Sequence, residues 1–226
     1  MKIGTDGVLL GAWAPIRGAK QILDVGTGCG IVALMLAQRS AEFGSTITAI
    51  DIDQDAAIQA VENFADSPWP DRLPAKSDQV HQSVAKFSAT DDRFELIVCN
   101  PPFFASPGCM SDSSRKIARH ATEKDRQQMV QNMCRLLGAT GRLCLILPFD
   151  QADATVQLCE MIGLHLWSRT DVRPNPDSDP KRTLFEFATK KANQDYTELV
   201  VESHRHQFST DYANLTRNFH LRYDKE

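Results

Sequence analysis

Apolar positions along the chain alternate between short runs and wider helical stripes. Ile22-Leu23-Asp24-Val25-Gly26 is a short apolar run closed by glycine, and Ile31 to Gln38 follows as a strongly apolar helix. Thr46 to Asp51 is β-branched and apolar, the pattern of a buried strand, and Asp55 to Phe64 reads as a helix. After the Pro-rich loop from Pro68 to Pro74, a weaker strand is predicted at Gln79 to Val84 and a clear one at Phe94 to Cys99. Met129, Val130, Met133, Leu136 and Leu137 form one stripe of the next helix. Thr122 is placed to cap it, Glu123 and Asp125 suit its positive end, and Gly138 or Gly141 can close it. A strand at Leu143 to Leu147 and a helix at Ala152 to Ile162 come next. The last two candidates, Leu164 to Val172 and Thr183 to Thr189, flank a polar loop and are expected to pair antiparallel.

Strands alternating with helices imply an α/β unit with a mainly parallel sheet. There is no internal repeat, and the linker-like stretches Asp66 to Asp78 and Arg173 to Arg182 are short enough to be loops. One domain over residues 1–226 is expected, with 191–226 as a tail packed on it.

Composition narrows the class. Hydrophobic residues at 42% and charged residues at 24% suit a globular chain and exclude a disordered one. No apolar run approaches the roughly 20 residues of a membrane helix. The start, Met1 to Asp6, lacks the plan of a signal peptide, so cytoplasm is expected. The six cysteines (29, 99, 109, 134, 144 and 159) contain no C-x-x-C pair, which favours reduced thiols and no metal. A net charge of −4 argues against a general polyanion binder. The charge is uneven, however. Arg115, Lys116, Arg119, His120, Lys124 and Arg126 cluster after residue 103, and Arg205, His206, Arg217, His220 and Arg222 enrich the tail. The first cluster reads as a solvated helix face or as phosphate contacts, which would supply affinity rather than sequence readout.

Two segments carry chemistry. Asp24-Val25-Gly26-Thr27-Gly28-Cys29-Gly30 joins the first strand to its helix. Glycines permit a tight turn and close ligand approach, and the helix N-terminus offers N–H groups. Asp51 ends the second strand, about 20 residues on, where an acid accepts from ribose hydroxyls. The spacing is G-x-G-x-G, with Ile31 at the third glycine position of the NAD fingerprint, so NAD is disfavoured.

The second segment is Asn100-Pro101-Pro102-Phe103, directly after the Phe94 to Cys99 strand. Ligands of open α/β sheets sit at the carboxyl ends of strands, so Asn100 should face the cleft. An amino nitrogen conjugated to a ring or carbonyl is a poor nucleophile. The Asn100 side-chain carbonyl and the Pro101 backbone carbonyl can each accept one of its N–H bonds, aim its lone pair and stabilise the charge it develops. Phe103 offers a face on which a flipped base can stack.

The glycine loop resembles motif I of class I S-adenosylmethionine (SAM) methyltransferases. That resemblance implies a Rossmann-like, seven-stranded, mostly parallel sheet with a final antiparallel strand and helices on both faces. It assigns cofactor contacts to Asp24, Gly26, Thr27, Gly28, Gly30 and Asp51, with Asp24 near the methionine end. Many relatives carry an aspartate after the third strand that binds the cofactor's adenine amino group. Val84 occupies that place here, and Ser83 or a backbone amide can substitute. Asn100 to Phe103 resembles the D/N-P-P-Y/F motif shared by adenine-N6, guanine-N2 and protein glutamine-N5 methyltransferases.

Met1 to Trp13, Ala118-Arg119-His120 and the tail Tyr212 to Tyr223, with Leu215, Phe219 and Leu221, are similar to segments of bacterial tRNA1(Val) adenine-37 N6-methyltransferases. This resemblance implies a valine tRNA as partner, bound by a monomer without membrane or metal. It also implies a segment 1–20 that covers the cleft and sets Thr5 and Asp6 at its rim. Without it, Leu9, Leu10 and Trp13 pack a first helix on the core, capped by Thr5 or Asp6. Release-factor glutamine and ribosomal guanine methyltransferases are the alternatives.

Overall fold

The computed structural model describes residues 4–101 and 112–219, and side chains in these ranges except those of 112–123. Helix α1 (Thr5–Trp13) precedes β1 (Gln21–Val25), α2 (Ile31–Arg39), β2 (Thr46–Ile50) and α3 (Gln54–Ala65). Two short helices, α4 (Ser77–Val80) and α5 (Val84–Phe87), lead to β3 (Phe94–Cys99), α6 (Asp112–Leu136), β4 (Leu137–Pro148) and α7 (Ala152–Ile162). The chain continues through β5 (His165–Arg173), β6 (Arg182–Ala188), β7 (Asp195–Val200), a small hairpin β8 (Glu202–His204) and β9 (Gln207–Phe208), and α8 (Thr210–Thr216).

Seven strands form one sheet in the order β2-β1-β3-β4-β6-β5-β7. All pairings are parallel except those of β6, which runs antiparallel to both β4 and β5, as expected for the Thr183 region. Successive strand residues point to opposite faces. Ile22, Leu96 and Cys144 therefore join one core cluster with residues of α1, α2 and α3, whereas Leu23, Ile97 and Leu145 join a second with residues of α6 and α7.

Four local expectations change. Gln79 to Val84 is not a strand; its pairing reduces to a single bridge between Asp51 and His81. Helical caps outcompete it: the Gln79 side chain accepts from Lys76 N–H, and Ser83 Oγ accepts from Lys86 N–H. The seventh strand is instead β7, whose exposed, polar residues carry no buried-strand pattern and which pairs with β5 at the sheet edge. Thr122 does not cap α6, because the helix begins ten residues earlier at Asp112. It ends at Leu136 without either glycine, and β4 starts at the next residue. Finally, Gly4 rather than Thr5 or Asp6 occupies the N-cap of α1, with no side-chain cap. The Asp6 carboxylate is drawn away to Arg182 on β6, 2.9 Å distant.

Helix α1 lies on α2 through small residues; a Cβ at Gly11 would come within 2.7 Å of Met35 Sδ. Leu9 and Leu10 are buried, and half-buried Trp13 donates from Nε1 to Thr170 Oγ1 at 3.0 Å. In the tail, Ser209 caps α8 by accepting from Tyr212 N–H, and the buried Tyr212 ring joins the α1 side of the core. Leu221 and Tyr223 lie outside the described residues.

Candidate cofactor and catalytic cleft

A cleft of about 790 Å³ opens at the carboxyl ends of β1, β2 and β3. This lies within the usual range for a small-ligand site. Its floor is the glycine loop, which is tied down in detail. Gly26 N–H and Thr27 N–H both donate to Ile50 O, at 2.8 and 3.1 Å. Gly28 N–H donates to Asp51 Oδ2 at 2.8 Å, and Asn63 Nδ2 on α3 holds Cys29 O at 2.8 Å. Gly30, the N-cap of α2, has φ +86°, and a Cβ there would meet the buried Phe64 ring at 2.4 Å. Only glycine satisfies both the left-handed backbone and that contact.

Asp24 sits beneath this loop, not in the cleft. It is 1% exposed, and its Oδ2 accepts from Thr27 Oγ1 at 2.7 Å and from Ala33 N–H at 3.1 Å. Burial pushes its pKa up to about 7; the two hydrogen bonds oppose that rise and the Asp51 charge adds to it. Asp24 thus fixes the loop to the start of α2 from below. Gly30 and the exposed Thr5 do not line the cleft either, whereas Gly26, Thr27, Gly28, Asp51 and Asp6 do.

Asp51 holds both oxygens at the rim. Oδ2 takes Gly28 N–H and Oδ1 takes Asp53 N–H at 2.9 Å, and each oxygen retains a lone pair for a ribose hydroxyl. Beside it stand Ile52, 76% exposed, and the segment Gln82 to Ala85. The apolar Val84 and Ile50, the carboxylate of Asp51 and the first amides of α2 fit a nucleoside carrying a charged amino-acid arm.

Cys99 and Asn100 line the cleft at the end of β3. Burial, then the charges of Asp24 and Asp51, push the Cys99 thiol up, so it remains protonated and acts as an apolar wall. No described residue hydrogen-bonds the Asn100 side-chain amide, and Pro101 behind it is buried. Pro102 and Phe103 lie outside the described residues, as do Cys109 and the side chains of Arg115, Lys116, Arg119 and His120. Of the remaining basic cluster, Lys124 is exposed and Arg126 donates to Gln151 at 3.5 Å.

Helix α6 closes the opposite wall with Asp125, Gln128, Met129 and Asn132. Sequence reasoning placed Met129 in the core stripe and overlooked the two amides. Their signal is a spacing of four residues, which sets both on one helix face beside the apolar stripe. Among the described residues there is no cluster suited to hold a metal ion. No described helix is long and apolar enough to cross a membrane.

Comparison with known proteins agrees with this geometry. Residues 8–148 match the family model described as "Methyltransferase small domain". A tRNA1(Val) (adenine(37)-N6)-methyltransferase from Trichodesmium erythraeum is 37% identical over 99% of this chain and 92% of its own length. Its counterpart from Bacteroides thetaiotaomicron is 40% identical over 98% and 91%. Among solved structures, a "predicted O-methyltransferase" from Agrobacterium tumefaciens aligns with TM-score 0.66 at 20% identity, covering 94% of this chain and 96% of its own, which establishes the fold. The chain is therefore a class I methyltransferase that uses SAM, and it belongs to the family of the tRNA1(Val) (adenine(37)-N6)-methyltransferases.

Proposed function

We propose that this protein methylates N6 of adenine 37 in tRNA1(Val), as a cytoplasmic monomer made of one domain over residues 1–226. The observation that carries the reading is Asn100. It stands at the cleft end of β3 with an amide that no described residue engages, in a chain that matches adenine-37 methyltransferases over nearly its full length. Bound SAM supplies an electrophilic methyl group on a sulfonium.

The chain's own groups do the rest. Asp51 holds the ribose, and Gly26, Thr27 and Gly28 shape the floor against which the cofactor lies. Asp24 and Gly30 keep that floor in place from outside the cleft. The Asn100 side-chain carbonyl and the Pro101 carbonyl accept the two N6–H bonds of a flipped adenine. The nitrogen lone pair then points along the line of attack, and the charge that builds on it meets fixed acceptors. No strong base is required, because the methylated nitrogen is acidic enough to release its proton to water. Pro102 keeps Pro101 out of the helical region, and Phe103 offers its face to the flipped base. Gly4, Asp6 and Gly7 at the start of α1 border the cleft, with Asp6 held by Arg182.

The test is methyl transfer from SAM to total tRNA of a strain lacking the enzyme, followed by nucleoside analysis. N6-methyladenosine confined to one valine tRNA is expected. Methylated guanosine, or label in protein alone, would overturn the assignment.

A further inference from the structure

Beyond Asp51 the cleft continues to Gln82–Ala85, with Val84 among its lining residues. The wall facing it is α6, because Val84 and Phe87 share a core cluster with Met129, Val130 and Met133. Having passed the ribose position, this is where the cofactor's base must lie. Few polar groups are at hand on the near side. Ser83 Oγ already accepts from Lys86 N–H, and Gln82 donates from Nε2 to Gln79 O at 2.9 Å.

On the far side, Asn132 lines the cleft at 3% exposure. Its Oδ1 accepts from Gln128 Nε2 at 3.2 Å, and its own NH2 has no partner among the described residues. A buried amide left half satisfied is costly unless a ligand completes it. With the bond running from Gln128 Nε2 to Asn132 Oδ1, the Asn132 NH2 donor and the Gln128 Oε1 acceptor are left over. One donor beside one acceptor is the complement of an adenine edge, which presents the N6 amino donor next to a ring-nitrogen acceptor.

We propose that Gln128 and Asn132 form the amide pair that recognises the adenine of SAM in this chain. This rests on the reading of the cleft as the SAM site. An amide pair reads both features of the edge without bringing a further negative charge near Asp51. It would distinguish adenine from hypoxanthine, whose oxygen and ring N–H invert the pattern.

Calorimetric titration with S-adenosylhomocysteine and its deaminated analogue, S-inosylhomocysteine, tests the idea without turnover. The wild-type protein should prefer the adenine ligand by about tenfold or more, the value of one or two hydrogen bonds. Gln128→Ala, at an exposed position that leaves folding intact, and Asn132→Ala should each bring that preference close to parity. Asp51→Ala should weaken both ligands alike, since it acts at the ribose. Unchanged preference in both amide variants, with Asp51→Ala still weakening binding, overturns the amide pair and leaves the SAM site standing. Failure of the wild type to bind either ligand overturns both.

Discussion

The two walls of the cleft use their polar groups in opposite ways. On the β1–β2 wall, Asp24 accepts from Thr27 and Ala33, Asp51 accepts from Gly28 and Asp53, and three loop amides are bonded within the protein. On the β3–α6 wall, the Asn100 amide has no described partner and the Gln128–Asn132 pair leaves half its valence open. Carboxylates build the first wall, where a charge can be compensated by several fixed N–H donors. Inward of the exposed Asp125, neutral amides furnish the second, where an unfilled group has to survive without ligand and a buried unpaired charge would be far costlier. The built wall gives shape, and the open wall gives recognition.

Removing Asn100 from the open wall should cost activity and little else. Asn100→Ala is expected to lower kcat about 10²–10³-fold, the usual effect of deleting one preorganised transition-state contact. S-adenosylhomocysteine affinity and melting temperature should stay near wild type. Single-turnover kinetics beside calorimetry decide this, and turnover close to wild type would remove Asn100 from the chemistry.

Deforming the built wall should do the reverse. Gly30→Ala forces a side chain into the left-handed region and against Phe64, together about 2–4 kcal/mol. For a chain of this size the melting temperature should fall by roughly 5–15 °C. A variant that melts like the wild type would show that the loop tolerates another course.

A third variant separates charge from hydrogen bonding. Asp24 holds its proton more tightly when folded, with a pKa of about 7 against an ordinary value of 3.8. Between these values the folded state binds more protons than the unfolded one, so stability should decline as pH rises from about 4 to about 7 and then level off. Asp24→Asn retains an oxygen for Thr27 and Ala33 and should flatten that decline. Urea unfolding across the pH range provides the measurement; an identical slope in the variant would mean that Asp24 is ionised throughout.

Legibility followed the same division. The glycine loop, Asp51 and Asn100 were readable because each follows an apolar run that fixes its place at a strand end. Helix α7 appeared at its observed bounds, Ala152–Ile162, since one stripe and one C-terminal glycine define it. Edge strand β7 was missed because Asp195 to Glu198 are all exposed and its partner β5 lies some 27 residues back along the chain. Gln79 to Val84 was misread because apolar content there signals burial, while the caps that make it helical engage backbone groups.

By itself the sequence determined the strand–loop–helix order, the side of the sheet on which the cleft opens and the place of Asn100 at the end of β3. These depend on periodicity and on residue types within about ten positions of one another. Only the tertiary structure decided that Asp24 lies under the loop with a raised pKa, that Asp6 pairs with Arg182, and that Asn132 faces the cleft with an NH2 that no described residue engages. Desolvation and unfilled valence are sums over neighbours brought together from distant parts of the chain, and no local pattern records them.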